Sequence, residues 1–289
     1  MKVLLAGASG QLGRALLSSK PSDMDVIVPL RSDLDLLDAR RISAEIRRHK
    51  PHLVINAAAF TAVDRAESER DTAFRVNADG PQHLASAADE AGARLVQIST
   101  DYVFDGKSAV PYAPDARPNP LSVYGASKLA GEQRVLQTLG SRAVVLRTSW
   151  LYAAHGSNFL LTMLRVMAER RSVRVVTDQI GTPTAAASVA GAIWLIARRP
   201  EVRGIQHWTD SGVASWYDFA VAIAEEASLV GLIPEGVEVQ PIGTDDYPTP
   251  ARRPSYSVLD KRLSIASLQR VPAHWRVSLR SVLREISRA

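Results

Sequence analysis

An apolar run, Val3-Leu4-Leu5-Ala6, breaks at once into Gly7-Ala8-Ser9-Gly10-Gln11-Leu12-Gly13 and then into a helical stretch from Arg14 to Ser19. That order restricts the fold sharply. A buried strand, a turn with glycines three residues apart and a helix N-terminus form the phosphate-binding corner of a doubly wound α/β sheet. Gly7 permits the tight turn, Gly10 lets the backbone approach a pyrophosphate, and Gly13 lets the helix pack on the sheet. The first N–H groups of the helix then face the anion. The same glycines would serve a plain turn and cap, but their place between a first strand and a first helix selects the dinucleotide reading.

The rest of the first half repeats the strand and helix rhythm. Asp25 to Leu30 is a second strand, and about twenty residues past the glycines stands Arg31-Ser32, where a site for NAD usually has an acid. A guanidinium and a hydroxyl suit a 2′-phosphate, which favours NADPH, with NADH as the alternative. In Leu34-Asp35-Leu36-Leu37-Asp38, Asp35 is a candidate acceptor for the adenine amino group and Leu36 a candidate surface for its ring, while Asp38 can cap a helix from Ala39 to His49. A third strand, Leu53 to Ala57, runs into Ala58-Ala59-Phe60-Thr61, small enough for a cofactor to lie against the backbone. A helix from Asp71 to Ala91 carries Asn77. A fourth strand, Arg94 to Ser99, ends in Thr100-Asp101, and a helix from Ser127 to Thr138 leads to a fifth strand, Ala143 to Thr148.

Strands alternating with helices through short loops predict a parallel, doubly wound sheet whose ligand crevice lies beyond the carboxyl ends of the strands. The glycine turn, Ala59, Thr100 and Trp150 all fall at such ends. After Trp150 the rhythm changes. Helices from Asn158 to Arg170, Ala187 to Ala197, Ser215 to Leu229 and Ser278 to Ser287 mix with short strands at Val173 to Val176 and Gly204 to Trp208 and a proline-rich Tyr247 to Pro254. The expected organisation is therefore a dinucleotide-binding domain over residues 1–150 and, over 151–289, mostly a smaller substrate lobe with some segments returning to the sheet.

The chemistry centres on Tyr124-Gly125-Ala126-Ser127-Lys128, a phenol and an ammonium four residues apart and so on one helix face. A free tyrosine has a pKa of about 10, so exchanging a proton near neutrality asks for roughly 4 kcal/mol of differential stabilisation. The lysine supplies part of it and a positively charged nicotinamide ring more. The pair suits proton exchange with a carbonyl oxygen while a hydride moves at its carbon.

Other classes are set aside by composition. With 289 residues, 46% hydrophobic and 22% charged, the chain can bury a full core. No apolar run approaches the ~20 residues needed to span a bilayer, and the first strand starts too close to Met1 for a signal peptide, so the expected location is the cytoplasm. There is no Cys, hence no disulfide, thiolate nucleophile or Cys-bound metal. The net charge of +5 comes from scattered arginine pairs such as Arg40-Arg41 and Arg170-Arg171, without a basic tract for nucleic acid. A mild positive field suits a nucleotide sugar instead. His49 and His52 are the only close histidine pair, poor support for a metal site.

Gly7-x-x-Gly10-x-x-Gly13, Asn56-Ala-Ala-Ala59, Ser99-Thr-Asp-Tyr-Val-Phe-Asp-Gly106 and Tyr124-x-x-x-Lys128 together resemble the extended short-chain dehydrogenase/reductases, which have a Rossmann sheet. More narrowly, Thr61-Ala-Val-Asp-Arg-Ala-Glu67, Arg147-Thr-Ser-Trp-Leu-Tyr152, Asp178-Gln-x-Gly-x-Pro-Thr184 and Tyr247-Pro-Thr-Pro-Ala-Arg-Arg-Pro254 are similar to the dTDP-4-dehydrorhamnose reductase family. The likeness runs over nearly the whole chain. It implies reduction, with NADPH or NADH, of the 4-keto group of dTDP-4-dehydro-β-L-rhamnose. Thr100 and Tyr124 would hold the ketone oxygen, Tyr124 would give the proton, and Lys128 would grip the nicotinamide ribose. Asp101 and Trp150 would line the sugar pocket and Arg253 would meet the pyrophosphate of the substrate. Gly10, Gln11, Leu12, Asp35, Leu36, Ala59, Phe60 and Thr61 would line the cofactor.

Two rival readings fit less well. A dehydratase of this superfamily typically carries Thr-Asp-Glu where this chain has Thr100-Asp101-Tyr102, and a non-catalytic regulatory subunit would not need Thr100, Tyr124 and Lys128 intact. The resemblance also implies, for some members, glutamates from two subunits around Mg²⁺. The matching stretches here, Gly13-Arg-Ala-Leu-Leu17 and Pro183-Thr-Ala-Ala-Ala-Ser188, hold no carboxylate, so no metal is expected and a monomer is favoured over a dimer.

Overall fold

Alternate residues of the first strand, β1 (Lys2–Ala6), feed two different cores. Val3 and Leu5 join one apolar cluster and Leu4 and Ala6 the other. A strand buried on both faces reads as a continuous apolar run, as this one does. The computed structural model describes residues 1–288. In it β1 is flanked by β2 (Asp25–Ile27) and β3 (Leu53–Asn56), followed outwards by β4 (Arg94–Thr100), β5 (Ala143–Thr148) and a sixth strand, Gly204–His207. All neighbours are parallel, and Gly204 pairs with Val144 at the edge of the sheet.

Strand order changes direction between β1 and β3, which opens a crevice at their carboxyl ends. Leu12 and Leu16 of α1 (Gln11–Ser18) share one core with Val189 and Ile193 of the Ala186–Ala197 helix. Ile42 and Ile46 of α2 (Ala39–His49) join Leu84, Val135 and Leu139 on the opposite face. Each such fully buried side chain contributes about 1.5–3 kcal/mol. A separate cluster, with Tyr152, Leu160, Phe219, Ile223, Trp275 and Leu279, binds together the helices Phe159–Glu169, Trp216–Leu229 and Trp275–Ile286.

The observed elements differ from expectation where side chains act as caps. β2 stops at Ile27, short of Leu30, which is exposed. The helix carrying Tyr124 spans Val123–Leu139, four residues earlier than expected at its start, because the Ser122 hydroxyl accepts the Gly125 N–H. The last helix begins at Trp275, capped by His274. Asp38 caps α2 as its sequence suggests. The expected helix from Asp71 to Ala91 is α-helical over Arg70–Phe74 and Gly80–Glu90, with a π turn over Arg75–Asp79 between them. A short helix, Val63–Ser68, and a strand, Glu238–Ile242, were not foreseen.

Candidate active site

Gly7 and Gly13 are demanded by the protein itself. Gly7 has φ +82°, and a Cβ there would stand 2.4 Å from the Ala58 nitrogen; one on Gly13 would stand 2.2 Å from the Gly7 carbonyl. Those approaches let the turns after β1 and β3 meet at the switch point. Gly10 is different. It is exposed, and an added Cβ would meet only the Gly7 oxygen, at 3.4 Å. The open side of the turn is therefore at Gly10, beside the first N–H groups of α1, which carries no side-chain cap. An anion-binding cradle has this form.

Gln11 and Leu12 turn their side chains away from that cradle. Leu12 is in the core. The Gln11 amide donates to the Ser157 carbonyl at 3.2 Å and accepts from Asn158 at 2.7 Å, linking the glycine turn to the loop before the Phe159–Glu169 helix. Arg31 and Ser32 are exposed beyond β2, and the Arg41 guanidinium reaches the Ser32 carbonyl. Asp35 accepts the Leu37 N–H at 3.0 Å, while Leu36 is mostly buried against Gly80.

Ala59, Phe60 and Thr61 form the wall after β3, fixed by a residue of the π turn. Asn77 accepts the Phe60 N–H at 2.8 Å and donates to the Phe60 carbonyl and to the Ser127 hydroxyl, each at 3.0 Å. Gly131 makes room, since a Cβ there would lie 2.1 Å from the Asn77 carbonyl. One amide thus ties the loop after β3 to the helix of Tyr124 and Lys128. π turns are often found at functional sites.

Thr100 is the last residue of β4. Its hydroxyl donates to Asp101 at 3.1 Å and accepts the Tyr102 N–H at 3.2 Å. Tyr124, in the first helical turn, departs from the lowering expected of its lysine neighbour: it is pushed up to about 12 by burial, partly offset by a hydrogen bond with Thr100 and reinforced by the Asp101 charge. Lys128 is brought down to about 8 by burial against the opposing pull of Glu132, and its ammonium donates to the Ile98 carbonyl at 2.6 Å. Asp101 is raised to about 6 by burial, partly countered by hydrogen bonds from Ser257 and Thr100, and its Oδ2 has no partner. Tyr102 packs edge-on to Tyr124, centroids 5.8 Å apart.

The far wall is Trp150, held at φ +46°, a backbone region unusual for a bulky residue. Its ring lies on that of Trp216 and over Gly181, where a Cβ would be 2.6 Å from the indole. The sheet end therefore gathers a phenol, an ammonium, a hydroxyl and a carboxyl group under an aromatic wall, beside an anion cradle. Among the described residues no group of three or more His, Asp and Glu side chains is placed to hold a metal ion.

A family model described as RmlD substrate binding domain matches residues 1–288. The chain is 40% identical to a dTDP-4-dehydrorhamnose reductase of Aggregatibacter actinomycetemcomitans, covering 97% of this chain and 98% of that one. It belongs to the dTDP-4-dehydrorhamnose reductase family. It is also 39% identical to the spore coat polysaccharide biosynthesis protein SpsK of Bacillus subtilis (strain 168), over 100% of this chain and 99% of that one. Among solved structures, the dTDP-4-dehydrorhamnose reductase of Bacillus anthracis strain Ames, in complex with NADP, superimposes with a TM-score of 0.93 at 35% identity, covering 98% and 99% of the two chains.

Two stretches that carried the resemblance to the dTDP-4-dehydrorhamnose reductase family meet in space. Asp64 accepts from Arg253 at 2.8 Å and from the Ala251 N–H at 3.2 Å. Glu67, three residues on, accepts the Val123 N–H at 2.8 Å, next to Tyr124. Arg253, expected at the substrate pyrophosphate, thus has Asp64, Thr249 and the Ala251 carbonyl as partners. The packing of Gly181 on Trp150, the place of Trp216 and the contacts of Asn77 are not announced by the sequence motifs that contain or adjoin them. Trp216 carried a signal, an aromatic inside the capping box Ser215-x-x-Asp218.

Proposed function

We propose that this protein reduces the 4-keto group of dTDP-4-dehydro-β-L-rhamnose to the alcohol, giving dTDP-β-L-rhamnose, with NADPH as reductant. The observation that carries the reading is the convergence of Thr100, Tyr124 and Lys128 at the carboxyl end of the sheet in a chain of this family. The fit of a dinucleotide rests on the cradle at Gly10, where the protein leaves backbone N–H groups and open space. Gly7, Gly10 and Gly13 with the backbone of Gln11 and Leu12 would hold the pyrophosphate. Ala59, Phe60 and Thr61 would line the middle of the cofactor, Asp35 and Leu36 the adenine, and Arg31 and Ser32 the 2′-phosphate. When bound, the reduced nicotinamide supplies a hydride.

Tyr124 is the acid. A phenol pushed up to about 12 is fully protonated at neutral pH, the state that reduction needs at its start. Once the carbonyl carbon has accepted the hydride, its oxygen takes the Tyr124 proton. The phenolate left behind is the costly species in a buried site, and the Lys128 ammonium one helical turn away offsets that cost. Thr100 orients the ketone oxygen and Asp101 accepts from a sugar hydroxyl. Trp150 walls the sugar. Arg253 holds the Tyr247 to Pro254 loop on Asp64, where the pyrophosphate of the substrate passes. The enzyme works as a cytoplasmic monomer without metal, residues 1–150 forming the cofactor domain and most of 151–289 the substrate lobe.

The test is to incubate the purified protein with NADPH and the dTDP-4-keto sugar, following nicotinamide absorbance and identifying the sugar. One reduced sugar per cofactor oxidised is the expected result. Oxidation without a reduced sugar overturns the reading. Tyr124→Phe should cut turnover at least 100-fold while NADPH binding stays within about twofold.

A further inference from the structure

Glu132 lies four residues after Lys128 on the Val123–Leu139 helix, the spacing at which a carboxylate captures an ammonium. It does not do so here. Among the described residues the Lys128 ammonium donates only to the Ile98 carbonyl. Both oxygens of Glu132 are taken by Arg147 of β5, whose Nε lies 2.9 and 3.2 Å from them and whose Nη2 lies 2.7 Å from Oε2. The two side chains are each 1% exposed. Arg147 is fixed in turn by the Pro114 carbonyl at 3.3 Å and by the Phe104 ring, with the His207 imidazole 3.4 Å from its other nitrogen.

We propose that Arg147 is a positioning residue for the reduction: by saturating Glu132 it prevents that carboxylate from drawing Lys128 away, and so keeps the ammonium on the Ile98 carbonyl, where it can serve Tyr124 and the cofactor ribose. The proposal rests on the role given to Lys128 above. It explains why an arginine occupies β5 here, since only a planar guanidinium can engage both oxygens of one carboxylate in this geometry. A lysine would leave one oxygen free one turn from Lys128.

The other titratable and charged groups around this part of the site are Tyr124 on the same helix, Asp101 and Tyr102 after β4, His207 on the sixth strand, and Arg253 and Asp260, which act on Tyr102 and His207 in turn. His207 is held neutral, brought down to about 3 by burial and by the Arg147 charge, so it does not titrate near neutrality. Asp101, raised to about 6, titrates on the acid side.

Three variants decide the question: Glu132→Gln, Arg147→Met and the two combined. The reading is the pH dependence of turnover, beside a titration of Lys128 by NMR in cofactor-free protein carrying labelled lysine, assigned with Lys128→Met. Glu132→Gln leaves the Arg147 charge unbalanced and should move the Lys128 titration down by about 1 pH unit. Arg147→Met leaves the carboxylate free and should move it up by about as much, with turnover at least tenfold slower. The double variant should return both to near the parent, because neutral groups replace the buried pair together. Should Arg147→Met not fold, the contrast of Glu132→Gln with the double variant still decides. Parental Lys128 titrations in all folded variants, with only thermal stability changed, would overturn the proposal. An inactive parent with opposite NMR shifts would instead locate the failure in the proposed reaction.

Discussion

The indole of Trp150 lies flat on that of Trp216, ring centroids 3.6 Å apart and planes 3° from parallel. This stack joins the end of β5 to the first turn of the Trp216–Leu229 helix, and Gly181 closes it from the side. Gly181→Ala would force the indole to move, since a Cβ stands 2.6 Å from the ring. The expected outcome is a KM for the dTDP-sugar raised about tenfold, with the dissociation constant of NADPH unchanged. Steady-state kinetics beside cofactor titration by fluorescence checks it, and equal losses on both ligands would place Trp150 outside the sugar pocket.

Asp101 sets activity against stability. Its carboxyl, raised to about 6 by burial, binds its proton more tightly in the folded state than in the unfolded one. Stability should therefore be highest below the unfolded value of about 4 and fall as pH rises through about 6. Asp101→Asn removes this loss. It should raise stability at pH 7.5 by on the order of 2 kcal/mol and leave it unchanged near pH 4, while lowering activity. Denaturant unfolding at the two pH values decides it; an equal effect at both would exclude charge burial as the cause.

Arg31 has no ion pair or hydrogen bond among the described residues, and the Ser32 carbonyl beside it is held by Arg41. A free guanidinium next to a fixed loop should favour NADPH over NADH about tenfold, the scale of one charge-assisted contact. Arg31→Ala should abolish that preference by weakening NADPH alone. Parallel dissociation constants for the two cofactors check it, and unchanged discrimination would show that the 2′-phosphate is read elsewhere.

Gly13-Arg-Ala-Leu-Leu17 and Pro183-Thr-Ala-Ala-Ala-Ser188 hold no carboxylate that could bind Mg²⁺, so EDTA should leave turnover unchanged. Light scattering with and without the chelator should give one and the same monomeric mass. A dimer that dissociates and loses activity on chelation would contradict both expectations.

What could be read from the sequence was what is local. Gly7 and Gly13 declare themselves because a tight turn and a close approach must be made by adjacent residues, and Asp38 caps a helix that starts one residue later. Tyr124 and Lys128 fix their own spacing. Long-range partnership was not legible. The bond of Asn77 to Ser127 crosses 50 residues and depends on a π turn that no periodicity announces. The ion pair of Arg253 with Asp64 crosses 189, so a basic residue in a proline-rich loop could be assigned only to a ligand. Trp150 was placed at a strand end, but its orientation is decided by Gly181 and Trp216, neither near it in the chain.

The π turn over Arg75–Asp79 spends one residue more than a regular helix would. Removing a single residue from that turn would let the segment wind as an unbroken α-helix, a gain in local regularity. Because the wider turn takes up its extra residue, the two flanks would keep nearly the same relative orientation and Leu84 and Ala85 would stay in the core; what would go is the local displacement that brings Asn77 to Phe60 and Ser127. A chain shorter by one residue would make the more regular helix and lose the join between the loop after β3 and Ser127, so selection for thermal stability alone would drift towards that deletion while selection for turnover would reject it.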